Sequence, residues 1–304
     1  MKELATISNV RSYSDAFDNI SKAIGLIGLT KLKSNSSVVI KINLCAARTA
    51  DTGTITHPLF LDGALHYLRE NFANLKISVV ESDATVVIAD KFVVWLGIQP
   101  ILDKWGAQFI NLSRIKSVLQ NIKGRYFKEI PVPEIFHKCD YFINMPKLKT
   151  NPMSTITCCL KNVFGCLPNA DKNIYHPKLD DVITDINTTI HTDLALVDGI
   201  IAMGGSQGPS YGVPIPLNAV ICSEDPVAVD SYGARLMGFN PWFIAHIRKS
   251  ADSKVGSMKY HLIGDKLGRI DFETNKFEMW MLKLGGSLAR RAQSQLRADG
   301  RKIK

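Results

Sequence analysis

Six apolar runs of strand length, Val38–Leu44, Ile77–Glu81, Gln108–Asn111, Tyr141–Met145, Leu194–Val197 and Ala219–Cys222, mark the chain, and none alternates cleanly between apolar and polar residues. A strand that is apolar on both faces has to be covered on both faces. Helical patterns over Leu59–Asn71, Ala89–Trp95, Ile101–Trp105 and Val227–Met237 lie between several of the runs. Strands spaced by helices predict βαβ units and an α/β fold, a mainly parallel sheet with helices on both faces. At 304 residues the chain has room for two lobes around a crevice. The expected divisions are residues 1–150, residues 151–282 and a basic tail over 283–304.

Right-handed crossovers would gather the C-terminal ends of parallel strands along one edge, where ligand crevices of α/β sheets lie. Polar residues concentrate at those ends: Lys41 and Asn43, Glu81-Ser-Asp83, Lys147 and Lys149, Asp198-Gly199, and Glu224-Asp225. Helix capping accounts for Asp225, which precedes Pro226 at a first helical position. It does not account for lysines, whose charge opposes the dipole of a following helix. The sharpest words are Asn144-Met-Pro-Lys-Leu-Lys-Thr150 and Leu160-Lys-Asn-Val-Phe-Gly-Cys-Leu-Pro168, which set Lys147, Lys149 and Lys161 among apolar residues. Lys147 and Lys149 are two apart and share a face in an extended chain. With Lys161 and Asn43 they are expected to hold a carboxylate or phosphate; the alternative is solvated loop lysines.

Lys41 stands between Ile40 and Ile42, so it either snorkels from the strand end or is buried with a partner. Lys41, His57 and His176 are the candidates for moving a proton, with metal ligation the alternative for either histidine. His57 lies in Thr56-His-Pro58, where Thr56 reads as an N-cap and Pro58 as the first helical residue. His176 sits in the loop word Ile174-Tyr-His-Pro177. Asp83, Asp198 and Asp225 would orient these groups, and a divalent cation bridging Asp83 or Asp198 to the anion is a further expectation. The loop Gly204–Pro216 reads either as an irregular connection or as a lid over the ligand.

The net charge of +9 is uneven: seven basic residues against Asp299 place +6 of it in residues 283–304. The remaining body, at +3, is not a basic nucleic-acid-binding globule. Leu284, Leu288, Ala292 and Leu296 recur every four residues, a short amphipathic basic helix suited to anionic lipid, RNA or an acidic protein. No apolar run approaches the ~20 residues that span a bilayer. The opening Met1-Lys-Glu-Leu-Ala-Thr lacks the features of a secretory signal, so a cytoplasmic location is expected. Cys158, Cys159 and Cys166 form the tightest of the cysteine groups, but their spacing matches neither zinc nor common iron–sulfur patterns. Buried thiols are therefore expected. An iron–sulfur or electron-transfer role for these three, and a non-catalytic carrier attached through the tail, are the rival readings. Walker, Rossmann-glycine, zinc and nucleophile-elbow words are absent.

Val38-Val-Ile-Lys-Ile-Asn-Leu44, Thr56-His-Pro58, the lysine words, Leu196-Val-Asp-Gly-Ile200, Gly208-Pro209 and Asp225-Pro-Val-Ala-Val-Asp230 occur in a fixed order. In these words, over roughly residues 36 to 256, the chain resembles the family catalogued as domain of unknown function 362. The resemblance implies no particular reaction. Some members of that family carry a ferredoxin-like module, which points toward redox work. This chain departs from the pattern by lacking Cys-x-x-Cys and by having Asn151 where the resemblance leads one to expect histidine. The expected function is an enzyme acting on an anionic small metabolite in a lysine-rich crevice.

Overall fold

A computed structural model describes residues 1–85 and 87–286 of the chain. The first half contains β1 (Lys2–Ile7), α1 (Ala16–Ile27), β2 (Ser37–Lys41), α2 (Pro58–Asn71), β3 (Lys76–Glu81), α3 (Ala89–Trp95), α4 (Ile98–Lys104) and β4 (Gln108–Asn111). A ribbon of β5 (Ser117–Asn121) and β6 (Glu129–Pro133), with α5 (Ile135–Lys138), leads to β7 (Tyr141–Asn144). Next come the hairpin of β8 (Lys147–Asn151) and β9 (Thr155–Thr157), α6 (Cys159–Phe164) and α7 (Leu179–Thr189). The hairpin of β10 (Leu194–Gly204) and β11 (Val213–Ser223) precedes α8 (Pro226–Leu236), α9 (Ala245–Asp252) and β12 (Tyr260–Gly264). Residues 276–286 are helical, and the tail residues beyond 286, with the rest of the amphipathic stripe, lie outside the described residues.

The main sheet runs β12-β1-β11-β10-β7-β2-β3-β4. From β10 through β4 every neighbouring pair is parallel, so the mainly parallel sheet read from the sequence is present. Residues from both sides of position 150 share it: β10 lies beside β7, and β11 beside β1. The two halves expected as lobes are joined by one continuous sheet.

Burial explains why the strands did not alternate. Val38 and Ile40 face one core with Ile20 and Ile24 of α1, Phe60 and Leu65 of α2, and Leu102 of α4. Val39, between them, faces the other core with Leu160 and Val163 of α6, Ile183 of α7, Val227 of α8 and Ile247 of α9. Helices on both faces leave no polar side to the strands.

Outward from β2 the order is β3 then β4, whereas β7 lies on its other side. That reversal opens a crevice at the C-terminal ends of β2 and β7. The exception to the parallel pattern is β11, antiparallel to both β1 and β10. Its direction carries Glu224 and Asp225 to the opposite edge, which corrects the expectation that Asp225 borders the crevice. Asp225 caps α8 instead, accepting from the backbone N–H groups of Val227 at 2.9 Å and Ala228 at 3.0 Å. A second correction concerns α2, whose N-cap is His57, with Nδ1 accepting from Leu59 N. Thr56 Oγ1 instead donates to Met145 O and accepts from Asn43 N, tying β2 to β7.

Candidate functional site

A cavity of about 350 Å³ opens at the crevice, lined by Lys41, Lys149, Lys161 and Lys172 against the single carboxylate of Glu81. Lys41 ends β2 and is fully buried; its ammonium lies 2.7 Å from Glu81 Oε1, at the end of β3, and donates to Ile42 O. Glu81 is pinned further by the backbone N–H groups of Ser82 and Leu44, each at 2.9 Å. Gly165, just after α6, makes room for this pair. A Cβ there would lie 2.8 Å from Lys41 Nζ and 3.0 Å from Glu81 Oε1.

Lys149 faces the cavity from β8 and donates to Asn43 Oδ1 (2.6 Å), Thr54 O (2.8 Å) and Cys45 Sγ (3.0 Å). None of these acceptors is a carboxylate. Asn43 Nδ2 donates to Asn162 Oδ1, Asn162 Nδ2 to Asn144 Oδ1, and Asn144 Nδ2 to Cys159 O. This buried row of amides crosses from β2 to α6 and β7.

Lys161, carried by α6, is half-buried, and among the described residues its ammonium has no hydrogen bond or ion pair. Burial first, then repulsion from Lys149, pulls its pKa from 10.5 to about 8, against a small opposing pull from Cys45. Lys172 donates to Ser82 Oγ and Asp83 O, and burial lowers its pKa to about 8 as well. Two lysines held near neutrality, with four ammonium groups facing one carboxylate, make a pocket short of negative charge.

The hairpin loop between β10 and β11 forms another wall, through Gln207, Gly208 and Pro209. Arg48 holds it by donating to Gly212 O at 2.8 Å and Pro209 O at 3.3 Å, and Thr150 Oγ1 donates to Gly205 O. His176, in the 3-10 segment Lys172–Lys178, lines the same cavity.

The structure thus brings together Lys41, Asn43, Lys149, Lys161 and His176 of the residues singled out in the sequence. It sets the others apart. Lys147 is fully buried 2.9 Å from Asp198 Oδ2, and both bond Tyr13 OH at 3.0 Å. The pairing of β8 with β10 shifts register between Lys147 and Lys149, so the two lysines meet different neighbours. Burial lowers the pKa of Lys147 against the pull of Asp198. His57 stacks on Tyr13 with ring centroids 3.7 Å apart, donates its backbone N–H to Asp198, and burial lowers its pKa. Asp83 Oδ1 accepts from Ala89 N, at the start of α3, and from Asn111 Nδ2. Asp83 and Asp198 are therefore both engaged by protein donors. Of the six cysteines, Cys158 and Cys159 lie at ligand distance from Asp230, and Cys166 is not part of that group. Glu81, Lys172, Cys45 and Asn162 were not among the candidate residues. Glu81 carried a signal, as a charge closing an apolar strand; Lys172 sits in the polar word Asp171-Lys-Asn173, which carried none.

The model of the family described as Domain of unknown function (DUF362) matches residues 38–235. The chain belongs to the DUF362 family. Every cavity lysine lies within the matched span. This DUF362 chain is 31% identical over 131 residues to the thylakoid-associated protein sll1697 of Synechocystis sp., a match that spans 39% of the chain and 40% of that relative. Among solved structures it is similar to the lactate racemase apoprotein of Thermoanaerobacterium thermosaccharolyticum, at 13% identity and a TM-score of 0.46, over 77% of this chain and 56% of that one. No helix among the described residues is long and apolar enough to cross a membrane.

Proposed function

We propose that this DUF362 protein is an enzyme that binds a small carboxylate or phosphate in the lysine-lined cavity and exchanges a proton with it through Lys161. The observation that carries the reading is the Lys161 ammonium, which faces the cavity without a partner among the described residues. Lys149 and Lys172 are the electrostatic anchors, since their hydrogen-bond acceptors are all neutral. A lysine with a pKa of about 8 is neutral in roughly a tenth of molecules at pH 7, close to the balance an acid–base group needs. The Lys41–Glu81 pair is the fixed wall that sets the shape of the site. The volume, about 350 Å³, lies at the small end for ligand pockets and suits a metabolite rather than a polymer.

The reading is tested with sulfate and phosphate as probes. Either should raise the melting temperature, whereas chloride at matched ionic strength should not. Because a bound anion favours protonated Lys161 and Lys172, binding at pH 8 should take up protons, seen by calorimetry in buffers of different ionisation enthalpy. An identical response to sulfate and chloride, or proton release, would refute the proposal. Mass spectrometry of metabolites co-purifying with the native protein would then name the substrate.

A further inference from the structure

The geometry points to a second, buried site: a zinc-class divalent cation held by Cys158, Cys159 and Asp230 at the junction of β9 and α6, with His246 beside them. Cys158 Sγ, Cys159 Sγ and a carboxylate oxygen of Asp230 lie within 4.8 Å of one another, all buried. The two sulfurs are 3.9 Å apart. Two thiolates about 2.3 Å from one tetrahedral zinc would be about 3.8 Å apart. Consecutive residues reach one point because the chain turns there from β9 into α6, with Cys158 at φ −150° and ψ −133°.

His246 of α9 stands beside this group, outside the 4.8 Å that encloses the three donors, and is the side chain that a shift of its ring would bring in as a fourth ligand. It is wholly buried, and neither ring nitrogen has a hydrogen-bond partner. Each nitrogen instead faces a carboxylate without an aligned hydrogen bond, and such a buried imidazole calls for a physical reason. Nε2 faces Asp230 Oδ2 at 3.9 Å, slightly longer than the about 3.3 Å between N and O ligands of a tetrahedral zinc. Nδ1 lies 3.4 Å from Asp180 Oδ1, the carboxylate–histidine arrangement that orients metal-bound imidazoles. Asp230 Oδ1 meanwhile accepts from Cys159 N at 2.7 Å. Thiol donors exclude magnesium and calcium, and two thiolates with one nitrogen and one oxygen suit zinc.

Such a centre would tie α6 to α8 and α9, and α6 carries Lys161 and Asn162 into the crevice. It is independent of what the crevice binds. The test uses the full chain, refolded with cobalt(II) or zinc(II) because every donor is buried. The expected result is one metal per chain by elemental analysis, with a thiolate-to-cobalt charge-transfer band whose intensity corresponds to two thiolates. Cys158→Ala with Cys159→Ala should abolish the band, Cys166→Ser should keep it, and His246→Ala should weaken cobalt affinity. Absence of stoichiometric metal in the wild-type chain overturns the proposal without any variant. So does a band that survives the double substitution, or one that disappears with Cys166→Ser.

Discussion

Replacing Lys161 by Met should stabilise the ligand-free protein while removing its response to sulfate. Lys161 is charged below about 8 in the folded protein and below 10.5 when unfolded. At pH 7, below both values, the folded state bears the whole cost of holding an unpaired charge, up to about 3 kcal/mol at ~1.4 kcal/mol per pH unit. Between about pH 8 and 10.5 only the unfolded chain keeps its proton, so wild-type stability rises with pH across that window. Lys161→Met lacks this rise. The variant's advantage should therefore shrink from about 3 kcal/mol at pH 7 to about 1 kcal/mol at pH 9.5. Urea denaturation of both proteins at the two pH values measures it, through midpoints at unchanged slope. A variant less stable than wild type at pH 7, or an advantage that does not vary with pH, would show that Lys161 already has a compensating partner. The gain in stability at the expense of binding is what a functional charge, rather than a structural one, should produce.

Lys147→Met should do the opposite, costing about 3 kcal/mol in urea, because Asp198 stays buried with only Tyr13 O–H and His57 N–H to satisfy it. The sulfate response should remain, and adding Asp198→Asn should recover part of the loss. Gly165→Ala should cost about 1–3 kcal/mol and weaken sulfate binding, since the new methyl group lies 2.8 Å from Lys41 Nζ; an unchanged sulfate titration would separate the Lys41–Glu81 wall from the site. Asp225→Ala should cost about 1–2 kcal/mol through loss of the α8 cap and leave sulfate binding intact, because Asp225 sits at the far edge of the sheet.

Most of the parallel half of the sheet was legible because its strands are apolar on both faces, and Val38, Val39 and Ile40 state in three residues that two layers cover them. The direction of β11 was not legible: Ala219–Cys222 is as apolar as a parallel strand, and the hairpin that reverses it lies in a loop without periodicity. Lys41, Lys149 and Lys161 were visible as charges inside apolar words, whereas Lys172 was not, and Lys147 belongs to the same word as Lys149 and differs from it only through a register shift. Whether a buried lysine meets a carboxylate or a neutral acceptor depends on strands distant in sequence, here Asp198 for one and Asn43 for the other. His246 gave no sign in the sequence, since its surroundings come from α7 and α8.

The row of amides at the cavity wall has a direction. It begins at an ammonium, which can only donate, so Asn43, Asn162 and Asn144 must each offer oxygen toward Lys149 and N–H away from it, ending at Cys159 O. Asparagine is the one residue of that size which is acceptor at one end and donor at the other. Hydrolysis of any of the three amides to aspartate would set oxygen against oxygen and break the row at that link. Deamidation at these three positions would therefore disturb the wall that anchors Lys149, with every cavity lysine still in place.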